Sequence, residues 1–153
     1  MLYLRGTLSA AQSSGSGGYT RISITSNDSR GYVALTGNIN SLWNYSSLNT
    51  ALKNYCGYYL FSNSTGLYTV DDDGRAHNSL KMHSNALTTY CYAYMFNGCS
   101  KLKNSPTLPA LTLGTYCYRQ MFYNCTALTS IQKVLPATIL TTYCYYYMYR
   151  ACT

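Results

Sequence analysis

Seven cysteines, two histidines and four aspartates are the residues of this 153-residue chain whose types could carry chemistry, and there is no glutamate. Six cysteines fall in pairs 8 residues apart, Cys91 with Cys99, Cys117 with Cys125 and Cys144 with Cys152, while Cys56 stands alone. A zinc site wants cysteines roughly two to four residues apart, usually with histidine, and His77 and His83 lie away from every pair. A disulfide within a pair would span roughly 12 Å along a helix at about 1.5 Å per residue. That exceeds the roughly 7 Å between Cα atoms that a bridge tolerates. Bridges between neighbouring copies stay open if the cysteines sit on tight turns. The plainer reading is a ladder of small buried thiols, since free cysteine is among the most buried residue types. Asp71-Asp72-Asp73-Gly74 is half of a calcium loop without alternating oxygen ligands or a closing glutamate, and reads as a solvated turn. No nucleophile has a partnered base and neither histidine sits in a recognisable motif, so catalysis has no visible seat. No enzyme, metal or cofactor is expected.

The cysteine pairs belong to copies of one phrase. Thr89-Tyr90-Cys91-Tyr92-Ala93-Tyr94-Met95-Phe96-Asn97-Gly98-Cys99 is repeated at residues 115–125 and 142–152, with first cysteines at 91, 117 and 144, steps of 26 and 27. A degenerate copy, residues 54–67, precedes them, with Leu60 for the repeat Met and Ser64 for the second Cys. A period of this size indicates a solenoid, whose units bury their apolar faces only by stacking on one another. Counting the first Cys of a copy as position 0, apolar or small groups recur at 0, 4, 5, 8 and 11, as in Cys91, Met95, Phe96, Cys99 and Leu102. Spacings of 4, 4 and 3 place positions 0, 4, 8 and 11 on one face of a helix or helix-like turn. Positions 2, 3, 6 and 7 then point outward, and they are the ones that differ between copies.

Composition narrows the classes. Net charge is +7, but the 11 basic residues are scattered singly, so no nucleic-acid footprint is formed. Tyrosine is the real excess, with 19 copies beside 3 Phe and 1 Trp; it combines apolar area with a polar tip and suits recognition surfaces. No run of about 18 apolar residues is present to span a membrane. The first residues lack a basic and then apolar leader pattern, which suggests a fragment of a longer precursor or a chain exported another way.

Residues 1–51 read as a β-rich N-terminal cap, and residues 52–153 as the stack, with an insertion around 68–86. Leu2-Tyr3-Leu4-Arg5, residues 19–25 and residues 32–36 have the alternation of half-buried strands, and a small antiparallel unit is expected from them. A Gly/Ser-rich loop at 11–18 and a turn at 27–31 separate them. The segments 102–108 and 128–135 read as short strands, each ended by proline.

The form Tyr-Cys-Tyr-x-x-Met-Phe-x-x-Cys-(Ser/Thr)-x-Leu, followed by Leu-Pro-Ala, resembles the BspA-like leucine-rich repeat proteins of Bacteroides-type gut bacteria and their phages, over about residues 52–153. The 26–27 residue period is longer than that family's common 23, and the chain stops in mid-repeat. The resemblance implies an α/β leucine-rich-repeat-like solenoid of about four coils behind the cap. It also implies a surface- or virion-exposed module for adhesion or recognition of a host or bacterial protein or glycan. The residues expected to make that contact are Tyr58, Tyr59, Tyr94, Arg119, Gln120, Tyr123, Tyr146, Tyr147 and Arg150. A second expectation is structural: an uncapped terminal coil would let copies stack end to end into a homo-oligomeric filament.

Overall fold

A computed structural model describes residues 21–25, 33–42, 52–69, 80–83 and 86–153. The expected strand at 2–5, the Gly/Ser-rich loop, the turn at 27–31, Trp43, Asp71–Gly74 and His77 lie outside these residues.

Each repeat copy is a ribbon of overlapping β-turns, and no α-helix forms among the described residues. The copies are coil 1 (residues 55–64), coil 2 (90–99), coil 3 (116–125) and coil 4 (143–152). Within coil 2, Cys91, Ala93, Met95, Asn97 and Cys99 each donate a backbone N–H to the carbonyl three residues back. The third residue of every second turn has positive φ: Tyr90 (54°), Tyr94 (59°) and Gly98 (72°). That is type II geometry, and the intervening turns, without positive φ, follow type I. The same three positions are positive in every coil, for example Tyr116 (59°), Gln120 (49°) and Asn124 (59°) in coil 3. A left-handed residue every fourth position is what prevents the helix that the 4, 4, 3 spacing suggested.

The other half of the amides leaves the coil. Tyr90, Tyr92, Tyr94, Phe96 and Gly98 donate to Thr115, Cys117, Arg119, Met121 and Tyr123 of the next coil, at 2.8–2.9 Å. Coil 1 donates to coil 2 and coil 3 to coil 4 in the same way. All ten N–H groups of coil 2 are therefore used, five within and five between coils, as buried backbone requires.

Side chains follow the turns in pairs. The central pairs of type I turns, positions 0, 1 and 4, 5, face inward, and those of type II turns, 2, 3 and 6, 7, face outward, although the small side chains of Ala93 and Ser62 are covered there. Cys91, Tyr92, Met95, Phe96 and Cys99 are each 0% exposed, and so is Leu102 at position 11. Because coils stack in register, like packs on like. Phe61, Phe96, Phe122 and Tyr149 form one stacked column with centroids 5.7, 5.5 and 5.3 Å apart. Tyr92, Tyr118 and Tyr145 form a second inward column, at 6.2 and 5.7 Å.

All seven cysteines are free, and six are buried. The second Cys of each coil ties it to the coil before. Cys99, Cys125 and Cys152 donate their thiols to the carbonyls of Phe61, Phe96 and Phe122 respectively, each at 3.1 Å. Ser64 does the same with its hydroxyl, to Ile22, also at 3.1 Å. Ile22 thus occupies the place of a repeat Phe ahead of coil 1, and its N–H donates to Leu60 as Phe61 does to Met95. Residues 21–25 therefore continue the stack ahead of coil 1.

Among the described residues the strand pairing is parallel, not the expected antiparallel one. β1 (Val33–Ala34) pairs with β3 (Leu67–Thr69), and β2 (Gly37–Asn38) pairs with β4 (Leu80–Lys81). A 3-10 turn, Ile39–Leu42, follows β2 and buries Ile39 and Asn40. β4 lies within the expected insertion, so that part of 68–86 belongs to the sheet face. Later coils continue this face by single parallel bridges, Leu87 to Leu113, Thr112 to Ile139 and Asn104 to Ser130, of which the last lies in the segments 102–108 and 128–135 expected as short strands.

Gly114 lies where the backbones of two coils approach closely, since a Cβ there would sit 2.5 Å from the backbone carbon of Thr88. Gly114→Ala is therefore expected to lower stability more than an ordinary surface change. Phe122→Ala, which empties the middle of the aromatic column, is expected to cost about 3–5 kcal/mol. Chemical denaturation measures both, and wild-type stability in the Phe122 variant would mean that inside and outside are reversed.

Candidate recognition face

The type II pairs and the tyrosines just before each first Cys share one outer face. Tyr55, Tyr90, Tyr116 and Tyr143 stack in a column with centroids 5.0, 4.7 and 5.3 Å apart. Tyr59 stacks on Tyr94 at 4.5 Å. Tyr58 stands edge-on to Tyr55, Tyr59, Tyr90 and Tyr94, at 4.7 to 5.9 Å. It fills the space that Ala93, the small residue at position 2 of coil 2, leaves open.

Arg119, at position 2 of coil 3, lies among rings. Its guanidinium carbon is 5.8 Å from the Tyr94 centroid, 5.2 Å from Tyr116 and 5.4 Å from Tyr146. Tyr146 packs on Tyr147 at 3.9 Å, and Arg150 lies over Tyr147 at 4.5 Å. Tyr59, Tyr94 and Tyr147 all take the left-handed conformation, which aims the ring away from the core. Gln120 and Tyr123 occupy outward pairs too, half-buried, and take part in none of these ring contacts. Seven of the nine expected residues are thus linked ring to ring or cation to ring. Spacing alone did not indicate the column at Tyr55, Tyr90, Tyr116 and Tyr143, although its recurrence before each Cys was the available signal.

All four aspartates fall outside the described residues, so no Asp or Glu side chain accompanies the eight described Lys and Arg. Partial burial raises the phenols of Tyr58 and Tyr94 above their ordinary value, against an opposing pull from Arg119. They stay protonated and can donate hydrogen bonds.

The inward thiols are not placed for chemistry. Burial pushes Cys99 and Cys117 up to about 12 and raises Cys91 and Cys125 further from the thiolate form that attacks or ligates. Cys56 is the exception, lowered by a hydrogen bond from Cys91. No group of three metal-ligating side chains occurs among the described residues, and no helix among them is long and apolar enough to cross a membrane.

His83 is 1% exposed, and neither ring nitrogen has a hydrogen-bond partner. No carboxylate among the described residues accompanies it. Burial lowers its pKa from the ordinary 6.5. A histidine lowered in the folded state contributes stability above its unfolded pKa, lost as pH falls through about 6.5 toward the folded value. The melting temperature is expected to drop between pH 7.5 and pH 5, with a smaller drop in His83→Leu. Parallel pH curves for the two proteins would exclude His83 as the cause.

Compared with family models, with curated proteins and with solved structures, the chain matches none of them.

Proposed function

We propose that this chain is a non-enzymatic recognition module, a leucine-rich-repeat-like solenoid of the BspA type working at a bacterial or virion surface. The observation that carries the reading is the division of labour within each coil. Inward pairs keep to Cys-Tyr and Met-Phe in coils 2 and 3, with Cys56-Gly57 and Leu60-Phe61 in coil 1 and Cys144-Tyr145 and Met148-Tyr149 in coil 4, whereas outward pairs change more freely, from Tyr58-Tyr59 to Ala93-Tyr94, Arg119-Gln120 and Tyr146-Tyr147. A surface kept only for solubility has no need of tyrosines, whose large amphipathic rings favour contact with other molecules. Stacking makes the outward pairs one continuous strip, so a long ligand touches several coils at once.

A second reading, end-to-end assembly, has one observation in its favour. The N–H groups of Tyr143, Tyr145, Tyr147, Tyr149 and Ala151 in coil 4 stand where earlier coils donate forward, and they have no acceptor among the described residues. Another turn ribbon would satisfy them. A second copy offers such a ribbon only at coil 1, where Ile22 already holds the Leu60 carbonyl. The recognition reading is therefore preferred.

A glycan and protein array tests it. A defined ligand is expected, with binding lost in Tyr146→Ala/Tyr147→Ala while the melting temperature stays near wild type. No ligand on either array, together with light-scattering mass that climbs with concentration, would favour assembly instead.

A further inference from the structure

We infer that the outer face holds a preorganised carboxylate site centred on Arg119, and that its ligand is an acidic oligosaccharide. The inference rests on the recognition reading above and specifies the ligand class.

Arginine usually loses much rotamer freedom when it binds an anion. Here that freedom is already removed, because the rings of Tyr94, Tyr116 and Tyr146 surround the guanidinium at 5.2–5.8 Å. Its side chain makes no hydrogen bond or ion pair among the described residues, and its buried Nε has no acceptor. The buried Nε is out of a ligand's reach, but the two terminal nitrogens of a planar guanidinium held by its faces suit bidentate carboxylate binding.

The neighbours choose among carboxylates. Tyr143, at the end of its column with Tyr116 stacked on it, is 53% exposed and presents ring surface on which an apolar sugar face can lie. Tyr94 keeps its phenol proton for a ring hydroxyl. Arg150, over Tyr147, gives a second cation further along the strip, which suits a chain with more than one acid group. An acidic peptide would prefer apolar pockets for its other side chains, and the outward pairs offer phenols, an amide and guanidiniums.

The test uses the full chain and calorimetric titration with an α-1,4-linked galacturonic acid tetrasaccharide, its methyl ester and a tetraglutamate peptide. Wild type is expected to bind the acid, and to bind the ester and the peptide at least tenfold more weakly. Arg119→Gln should weaken acid binding about tenfold and Arg119→Lys nearly as much, because lysine keeps the charge and loses the fork. Arg150→Gln should weaken it about threefold, and Lys133→Gln, which removes an exposed cation away from the outward pairs, should have no effect. If the Arg119 variants melt early, the Arg150 and Lys133 pair decides alone, since both residues are exposed. Equal binding of acid and ester, an equally strong peptide, an equal loss in Lys133→Gln, or no binding of the acid by wild type would each overturn the site. Array binding of neutral glycans or proteins without any response to the acid would remove this site and leave the recognition reading intact.

Discussion

Half of the backbone amides in each repeat copy have nowhere to bond within their own coil. A turn ribbon closes every second N–H onto the carbonyl three residues back and leaves the remainder for the next coil, as Tyr92 does with Cys117 and Tyr118 with Cys144. The left-handed residues carry a conformational cost of about 1–2 kcal/mol each, and each coil has three. An isolated coil would hold both that strain and five unpaired donors. The stack is what makes the conformation tenable, and stacking in register then dictates that phenylalanine meets phenylalanine and thiol meets the carbonyl one coil back.

The same constraint divides the surface. Turn pairs alternate inward and outward with a strict period of four, so no outward side chain can drift into the core as it would on a helix of 3.6 residues per turn. Variation at Ala93, Arg119 and Tyr146 therefore alters the face without disturbing Met95, Met121 or Met148. Bulky tyrosines at left-handed positions such as Tyr94 and Tyr147 are uncommon choices. Their columns supply ring contacts worth about 0.5–1.5 kcal/mol per pair, which helps to offset that cost. Arginine in such a setting is ordered by rings, as Arg119 is by Tyr94, Tyr116 and Tyr146.

Much of the inner set was legible because deep burial left the same residue types in each copy: Cys91, Met95, Phe96, Cys99 and Leu102 recur in position. Tyr92 and Tyr118 are not legible as core, since a phenol looks like a boundary residue and a 3.6-residue period gives position 1 no inward slot. The turn conformation was hidden for a related reason. Left-handed positions usually show themselves as Gly or Asn, and only Asn63, Gly98 and Asn124 do so here. The substitution of Ser64 for cysteine looks like decay of the repeat, and becomes intelligible only with Ile22 across from it. In the outer face, the residue types were readable but not their mutual contacts. Arg119 was expected as a free anchor, yet three rings from three coils surround it.

The forward bonds between turn ribbons all run one way, from the N–H of one coil to the C=O of the next. Parallel strands alternate the direction of their bonds and largely cancel, but this ribbon does not. Its peptide groups add along the stack axis as they do along a helix, so the assembly is an electrical dipole. The coil 4 side carries the unshared amide hydrogens and hence the positive pole. Tyr147, Arg150 and the ring-bound Arg119 all lie toward that pole, where the backbone itself adds to the field that an anion meets.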